Sequence, residues 1–321
     1  MGPKKPRREF LAGMGALAAA ASFPEALLAG RERIYPPADL SYFDSPIPPG
    51  PFELHIGYAA ITWGGNDRQA IEDIAAAGYA GIQIRSNSVQ EFGSGAALKE
   101  VLDQHHLKMI ALSSGNLSID PAIESSEIAK HVANAKFLRD AGGLYLQVID
   151  EKPKNREITL GDYKRLGQLL TEVGKRTADL GVPLGFHNHM GAIGQTPEAV
   201  EQIMDAVDPR YAKLELDVAH YFQGGGDPAK AVEKYSDRLL FVHLKDVERL
   251  PEGANAKQSY RFVELGRGQV NLPAVLESLR KIGFRGWGIV ELDGETDKSR
   301  TPKESALINK KYVEEKLGLK V

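Results

Sequence analysis

The sequence predicts an α/β fold, a single-domain (β/α)8 barrel of eight parallel strands. Eight short apolar runs recur along the chain, amphipathic helical stretches separate them, and several of these stretches end at a glycine just before the next run. The 321 residues suit one barrel, which commonly takes about 250 residues, with an additional N-terminal segment. An open, doubly wound sheet is the alternative, and it is weakened because no Gly-x-Gly-x-x-Gly motif follows the first run.

The predicted strands are apolar runs that are too short to form buried helices. They are residues 54–60, 81–85, 107–113, 144–149, 182–187, 213–218, 239–244 and 286–292. Three intervening stretches, 67–79, 162–181 and 272–284, carry apolar residues at helical spacing and contain a glycine at or near their ends. Helix, glycine and apolar strand in this order are typical of a βαβ unit.

The N-terminal segment has the layout of an export signal. Arg7 and Arg8 precede Phe10 and a mild Ala/Gly/Leu run, which is similar to a twin-arginine signal. A basic amphipathic helix is the alternative. We therefore expect a signal over 1–30, export to the periplasm, and no stable membrane span after signal removal.

A proline-rich stretch separates this segment from the barrel. Residues 31–53 include YPPADLSYFDSPIPPGP, and so many prolines exclude a regular helix or a central strand. The sequence therefore predicts a linker or surface arm over 31–53 and one barrel over 54–321.

Composition limits the possible partners. The formal net charge is −3, so no basic excess favours nucleic acid. The chain has no cysteine, which excludes disulfides and thiolate-bound zinc, so a metal site must use His, Asp, Glu or backbone oxygen. The sequence leaves homo-oligomerisation open.

Four predicted strands, the fifth to the eighth, end in potential metal ligands: His187, Asp217, His243 and Glu291. Chemistry in a (β/α)8 barrel is located at these C-terminal strand ends. Burying several ionisable groups without partners would be very unfavourable, and a cation removes that cost. Imidazole and carboxylate ligands suit Mn, Co or Zn, so we predict one divalent metal ion. Any one of these histidines alone would more often be a buried structural residue.

The segment FVHLKDV, residues 241–247, places His243 and Lys245 on the same face of a strand and Asp246 on the other. Lys245 is therefore expected either to act on the substrate or to pair with a carboxylate. His220 follows Asp217 closely and is a second catalytic or binding candidate.

Other polar residues near strand ends are candidates for binding the substrate. They are Trp63, Gln83, Arg85, Gln147 and His189. Glu215 and Asp293 share faces with predicted ligands and are expected to be salt-bridged or to support them. Three further histidines fall on predicted helical or turn segments and are expected at the surface, namely His105, His106 and His131.

Four stretches resemble the xylose isomerase-like TIM barrels, the sugar phosphate isomerase/epimerase superfamily. They are AIEDIAAAGYAGIQI, FHNHMGAIGQTPEAVEQIMDAVDP, LELDVAHYFQGGGDPAKAVEKYSDRLLFVHLKDV and GRGQVNLPAVLESLRKIGFRGWGIVELDGE. The resemblance implies metal ligation by the same four strand-end residues. Epimerases of this group typically have a glutamate on the fifth strand, where this chain has His187, so the segment is more similar to the inosose dehydratase branch.

The resemblance implies removal of a proton next to a carbonyl, with a metal-stabilised enediolate. We predict a metal-dependent isomerase or epimerase of a keto-sugar or related polyol, with Lys245, His220 and Glu291 as catalytic residues. A lyase or hydratase of the same family, acting on a 3-keto-glycoside or an inosose, is the first alternative. An exported sugar-binding protein without turnover is the second. The endonuclease IV branch fits poorly, because it needs further His and acidic ligands on strands 1 to 4 and the net charge does not favour DNA.

Overall fold

The computed structural model describes residues 51–251, 259–294 and 299–321. Eight parallel strands form a closed barrel, as predicted. They are β1 (Glu53–Ala59), β2 (Gly81–Arg85), β3 (Lys108–Leu117), β4 (Tyr145–Asp150), β5 (Leu184–His187), β6 (Ala212–Asp217), β7 (Leu239–Leu244) and β10 (Arg285–Val290). The predicted signal and nearly all of the predicted linker lie outside the described residues.

The helices that follow the strands form the outer layer. They are α1 (Asp67–Ala77), α2 (Asn87–Phe92), α3 (Gly95–Gln104), α4 (Glu124–Asp140), α5 (Leu160–Ala178), α6 (Pro197–Ala206), α7 (Val218–Gln223), α8 (Pro228–Lys234), α9 (Leu272–Lys281) and α10 (Pro302–Glu315), with a 3-10 turn at Ala60–Trp63. Helix α1 ends at Gly78, whose φ of 88° few other residues adopt readily. Among the residues that the structure describes, every helix is too short or too polar to cross a bilayer.

Strand alternation separates the core from the site. Along β6, Leu214 and Leu216 belong to the buried apolar core, whereas Glu215 and Asp217 lie on the opposite face. All six residues of this strand are buried. The same alternation on β7 places Phe241 and His243 on one face, and Phe241 stacks on Tyr145 with ring centroids 5.2 Å apart. Apolar packing therefore supports the polar strand ends.

A two-stranded antiparallel sheet follows β7 and was not predicted from the sequence. It consists of β8 (Asp246–Arg249) and β9 (Tyr260–Val263). Asp246 lies next to Lys245 but points away from the site, as the alternation of side chains along FVHLKDV predicts. Its carboxylate accepts backbone N–H groups from a set of residues on both sides of the sheet, namely Val247, Gly266, Gly268 and Val270.

The surface prediction for His131 is wrong, since this side chain is fully buried between α4 and β3. Its Nδ1 lies 2.6 Å from Oγ of Ser114, and Asn134 Nδ2 donates to the same hydroxyl at 2.9 Å. His131, Ala135 and Leu138 are spaced four and three residues apart, so they share the inner face of α4. This spacing was the available sequence signal. His106 is exposed, as expected, and His105 is half-buried.

Candidate metal centre and adjoining cavity

The four predicted ligands converge at the C-terminal ends of their strands. The register pairs Asp217 with His243 directly. His243 Nδ1 lies 3.6 Å from Asp217 Oδ2 and 3.4 Å from Glu291 Oε2. Ligand atoms of His187, Asp217 and His243 all lie within 4.8 Å of one another. The barrel therefore brings two imidazoles and two carboxylates to one buried point.

Glu215 connects the two histidines of this group. Its Oε1 lies 3.1 Å from His187 Nδ1 and 2.9 Å from His243 Nε2, and Gln83 Oε1 lies 2.7 Å from the same His243 nitrogen. These acceptors place the protons on His187 Nδ1 and His243 Nε2. With a cation bound, the opposite nitrogens, His187 Nε2 and His243 Nδ1, would carry the lone pairs that bind it. Without a cation, burial acts to lower the pKa of His243, but the carboxylates of Glu215 and Glu291 prevail and raise this pKa well above its usual value. Hydrogen bonds of this kind orient histidines that bind metals.

The electrostatics of Glu215 agree with this role. Burial acts to raise its pKa, but the imidazoles of His187 and His243 outweigh burial and lower the pKa of this carboxyl below its usual value. Glu215 therefore stays ionised at full burial. The expectation that it supports the predicted ligands is consistent with these contacts.

Two buried atoms of the group have no hydrogen-bond partner within the described residues: His243 Nδ1 and Asp217 Oδ2. The other Asp217 oxygen, Oδ1, accepts the backbone N–H groups of Ala219 and His220 at 2.8 Å each, which fixes the carboxylate at the start of α7. Buried acceptors without partners are unfavourable unless a cation or water meets them. The donor set of His187, Asp217, His243 and Glu291 would fit a divalent metal ion.

Lys245 lies beside this centre with its ammonium fully buried. Nζ is 2.8 Å from Glu291 Oε1 and 2.9 Å from Asp293 Oδ2. Burial acts to lower the pKa of Lys245, but the carboxylates of Asp293 and Glu291 prevail and raise this pKa above its usual value. Lys245 is therefore a permanent cation, paired with Glu291 and Asp293 rather than with Asp246.

His189 and His220 lie together at the edge of the centre, with ring centroids 3.9 Å apart. Burial, assisted by His187 and Lys245, lowers the pKa of His189 to about 4. Burial also lowers the pKa of His220 well below its usual value. Both imidazoles are therefore neutral at pH 7.

His187, His189 and His220 form a second grouping with metal-ligand spacing. However, Lys245 Nζ lies 3.3 Å from His220 Nε2 and donates to it, so this lone pair is already in use. We therefore assign the metal position to the first grouping.

A cavity of about 670 Å³ opens beside the centre, a size that suits a small ligand. Four of the five predicted substrate-binding residues line it: Gln83, Arg85, Gln147 and His189. His187, Glu291 and Asp293 also reach its wall, whereas Lys245 and His220 do not. The ammonium and the His220 imidazole thus lie behind the ligand-facing layer.

Trp63, the fifth predicted substrate-binding residue, packs away from the cavity lining. Its indole N–H donates to Asp73 Oδ2 at 2.9 Å, and its ring meets Tyr58 edge to face with centroids 5.7 Å apart. Its neighbour Ile61 reaches the cavity instead.

Asp150 is a cavity residue that the sequence analysis missed. It ends β4 and accepts the backbone N–H groups of Ile193 and Gly194, which secures the loop after β5 that carries His189. Burial raises the pKa of Asp150 to about 6, although these N–H groups act in the opposite direction. An acidic residue at the end of an apolar run, as at Asp217, was the signal that could have identified it.

Comparison with known proteins places this barrel among its relatives. A family model described as xylose isomerase-like TIM barrel matches residues 71–312. The chain belongs to this family. A "Rhizopine catabolism protein MocC" of Rhizobium meliloti is 30% identical over 275 residues, 75% of this chain and 82% of that protein.

Two further relatives of this xylose isomerase-like barrel agree with the sequence resemblance. An inosose dehydratase of Lacticaseibacillus casei is 28% identical over 300 residues, 83% of this chain and 98% of that protein. Among solved structures, the IolI protein with a bound zinc atom superposes with a TM-score of 0.69 at 23% identity, over 81% of this chain and 97% of that one. The structural likeness supports the fold.

Proposed function

We propose that this protein is a metal-assisted lyase that removes water, or another β-substituent, from a keto-polyol such as an inosose or a 3-keto-glycoside. The observation that carries the proposal is a neutral imidazole, His189, on the wall of a sugar-sized cavity beside a metal-ready centre. The dehydratase names of relatives matched over nearly their whole length favour a lyase over the isomerase that the sequence first predicted.

When bound, a divalent cation at His187, Asp217, His243 and Glu291 supplies Lewis acidity, which makes the C–H bond next to a substrate carbonyl more acidic. Glu215 keeps His187 and His243 in the tautomers that such a cation requires.

His189 is the proposed proton carrier. Its Nδ1 lies 2.6 Å from the carbonyl oxygen of Met190, which fixes the proton on Nδ1 and leaves Nε2 as a lone pair. In the proposed reaction, Nε2 accepts the proton from the carbon next to the carbonyl. The C–H and β C–O bonds break, a carbon–carbon double bond forms, and His189 returns the proton to the departing hydroxyl, which leaves as water.

Lys245 and His220 support this chemistry from behind the cavity wall. The Lys245 ammonium holds Glu291 and Asp293 in place and donates to His220 Nε2. His220 in turn contacts His189, with the two rings tilted by 43°, and limits the orientations of the His189 ring. Two of the three predicted catalytic residues, Lys245 and His220, therefore act by positioning in this proposal, and the third, Glu291, would hold the metal.

Proton NMR in D2O tests the proposal. Protein loaded with Mn, Co or Zn, and a chelator-treated control, would be given an inosose, a 3-keto-glucoside and a free ketohexose, with paramagnetic ion removed before measurement. We expect an unsaturated ketone, or release of the aglycone, only with the loaded protein. An intact sugar that gains deuterium and changes configuration would instead identify an isomerase, and binding without turnover would identify a sugar-binding protein.

The matched variants are His189→Asn and His106→Asn. An asparagine amide at position 189 can still donate to Met190 but cannot accept the substrate proton, so we expect turnover to fall by about 100-fold or more. His106 is exposed and lies outside the cavity lining, so its variant controls for loss of a histidine. Full activity in His189→Asn would exclude His189 as the proton carrier.

We also propose that the chain is exported, on the basis of Arg7 and Arg8 ahead of the apolar run. Fractionation of cells that express the full chain, with Arg7→Lys/Arg8→Lys as the control, would test this. Cytoplasmic retention of the unaltered chain would contradict it.

A further inference from the structure

The ammonium of Lys245 uses all three of its protons inside the protein. They point to Glu291 Oε1 at 2.8 Å, Asp293 Oδ2 at 2.9 Å and His220 Nε2 at 3.3 Å. On a further side, Nζ lies 4.1 Å from the centroid of the Phe262 ring. A cation at this distance from an aromatic face is attracted to it, and more strongly where water is excluded.

Phe262 is not part of the barrel. It is located on β9, in the two-stranded sheet that begins at Asp246, directly after Lys245. The Asp246 carboxylate accepts N–H groups from Val247 on one strand and from Gly268 beyond the other. A Cβ at Gly268 would collide with this carboxylate, so the close approach requires glycine. The segment that carries Phe262 is thereby fixed beside Lys245, which lies between β7 and β8.

The Phe262 ring also contacts His220, with centroids 5.2 Å apart and planes at 78°. Lys245 and His220 are 0% and 2% exposed, yet neither lines the cavity. Phe262 does not line it either. The ring therefore covers the Lys245–His220 pair on a side other than the one that receives the ligand.

We infer that Phe262 is a positioning residue of the catalytic centre, which excludes water from the Lys245–His220 pair and holds the ammonium against Glu291 and Asp293. Without the ring, water reaches Nζ and the ammonium can turn outward. Glu291 then loses its partner, and His220 loses both a hydrogen bond and an aromatic contact. The effect on turnover rests on the proposed function, whereas the burial of Lys245 does not.

The first test separates kcat from KM. Phe262→Leu keeps apolar bulk but removes the ring, whereas Phe262→Trp keeps an aromatic face. We expect kcat of Phe262→Leu to fall by about tenfold, the loss that a desolvated cation–π contact corresponds to, with KM changed by less than about twofold. Phe262→Trp should retain most of kcat.

Tyr260→Leu is the matched control. Tyr260 lies on the same strand, and its ring faces Arg249 rather than Lys245. This variant removes an aromatic ring from β9 without touching the pair, so kcat should be unchanged.

The second test does not depend on turnover. Metal-loaded protein would be treated with acetic anhydride. Peptide mass spectrometry would then measure the rate at which Lys245 is acetylated. We expect slow acetylation of Lys245 in the unaltered chain and in Tyr260→Leu, and at least about fivefold faster acetylation in Phe262→Leu. Circular dichroism and Tm would verify that each variant is folded.

Continued protection of Lys245 in a folded Phe262→Leu protein would overturn the inference, whatever its activity. Faster acetylation with unchanged kcat would overturn the positioning role and leave Phe262 as a cover only. If the unaltered chain converts no keto-polyol, the proposed function fails, and the acetylation rates still decide whether Phe262 protects Lys245.

Discussion

Glu215 Oε1 lies 2.9 Å from Nε2 of His243, and both side chains are fully buried. The same oxygen also contacts His187. One carboxylate therefore sets the tautomer of two candidate metal ligands. This arrangement makes metal affinity depend on a residue that need not touch the metal.

Glu215→Gln should weaken metal binding while the four ligands stay in place. An amide presents a single acceptor oxygen and is neutral, so it orients two imidazoles poorly. Affinity should fall by about 10- to 100-fold. Competition with a metallochromic chelator would measure this for Zn and Mn. Glu248→Gln is the control, because Glu248 is a half-buried residue of β8 that lies outside the cavity lining. Equal affinities for the two variants would contradict the role of Glu215.

Removal of ligands should abolish stabilisation by metal. In the unaltered chain, free metal at 100 to 1,000 times its Kd raises the free energy of unfolding by about 3–4 kcal/mol. His243→Ala and Asp217→Asn should lose most of this increment. Thermal unfolding would be measured with metal and with chelator. The difference in Tm between these two conditions should be present in the unaltered chain and absent in the variants. Retention of full metal content by both variants would refute the ligand assignment.

Asp150 should make the folded state less stable as pH rises. Burial raises its pKa from 3.8 to about 6, so its contribution is fully present below about pH 4 and is lost as pH rises through 6. A pKa shift of about two units corresponds to about 3 kcal/mol in the free energy of unfolding. Asp150→Asn lacks this titration, so relative to the unaltered chain it should gain stability between pH 4 and pH 7.

Urea unfolding of both proteins at several pH values would measure that difference. The difference between the two chains is the useful quantity, because other carboxylates titrate in the same range in both. A difference in the free energy of unfolding that is constant with pH, or that changes in the opposite direction, would show that Asp150 does not titrate as described.

Lys245→Met should destabilise the metal-free protein by about 2–4 kcal/mol, because it leaves carboxylates without their cation. Asp293→Asn added to Lys245→Met should recover part of that loss, since it removes one of the unpaired charges. A double-mutant cycle from urea unfolding would give the coupling energy. Strict additivity of the two changes would mean that the Lys245–Asp293 pair contributes no coupling.

Much of the barrel could be predicted from the sequence, because local patterns determine it. The predicted strand 239–244 coincides with β7, and 81–85 with β2. The convergence of the four predicted ligands followed from topology, since parallel strands end at one rim. Contacts between distant side chains could not be predicted in this way. The bridging role of Glu215 and the Gln83–His243 contact depend on how the strands are staggered around the barrel.

The two-stranded sheet of β8 and β9 was not predicted, for a different reason. Its strands are four residues each, so the alternation of polar and apolar residues over 259–262 is too short to indicate a strand by itself. Tertiary anchoring by Asp246, rather than local propensity, secures it. Phe262 consequently escaped notice, although its neighbour in space, Lys245, was identified.

The hydrogen bond between Gln83 and His243 joins residues 160 positions apart, on the second and seventh strands of the barrel. Contacts over such separations form late in folding, because the entropy of closing the intervening chain must first be overcome. Tight metal binding would then require both halves of the chain to be in place. Metal affinity during refolding should therefore reach its full value only when the ring of strands has closed.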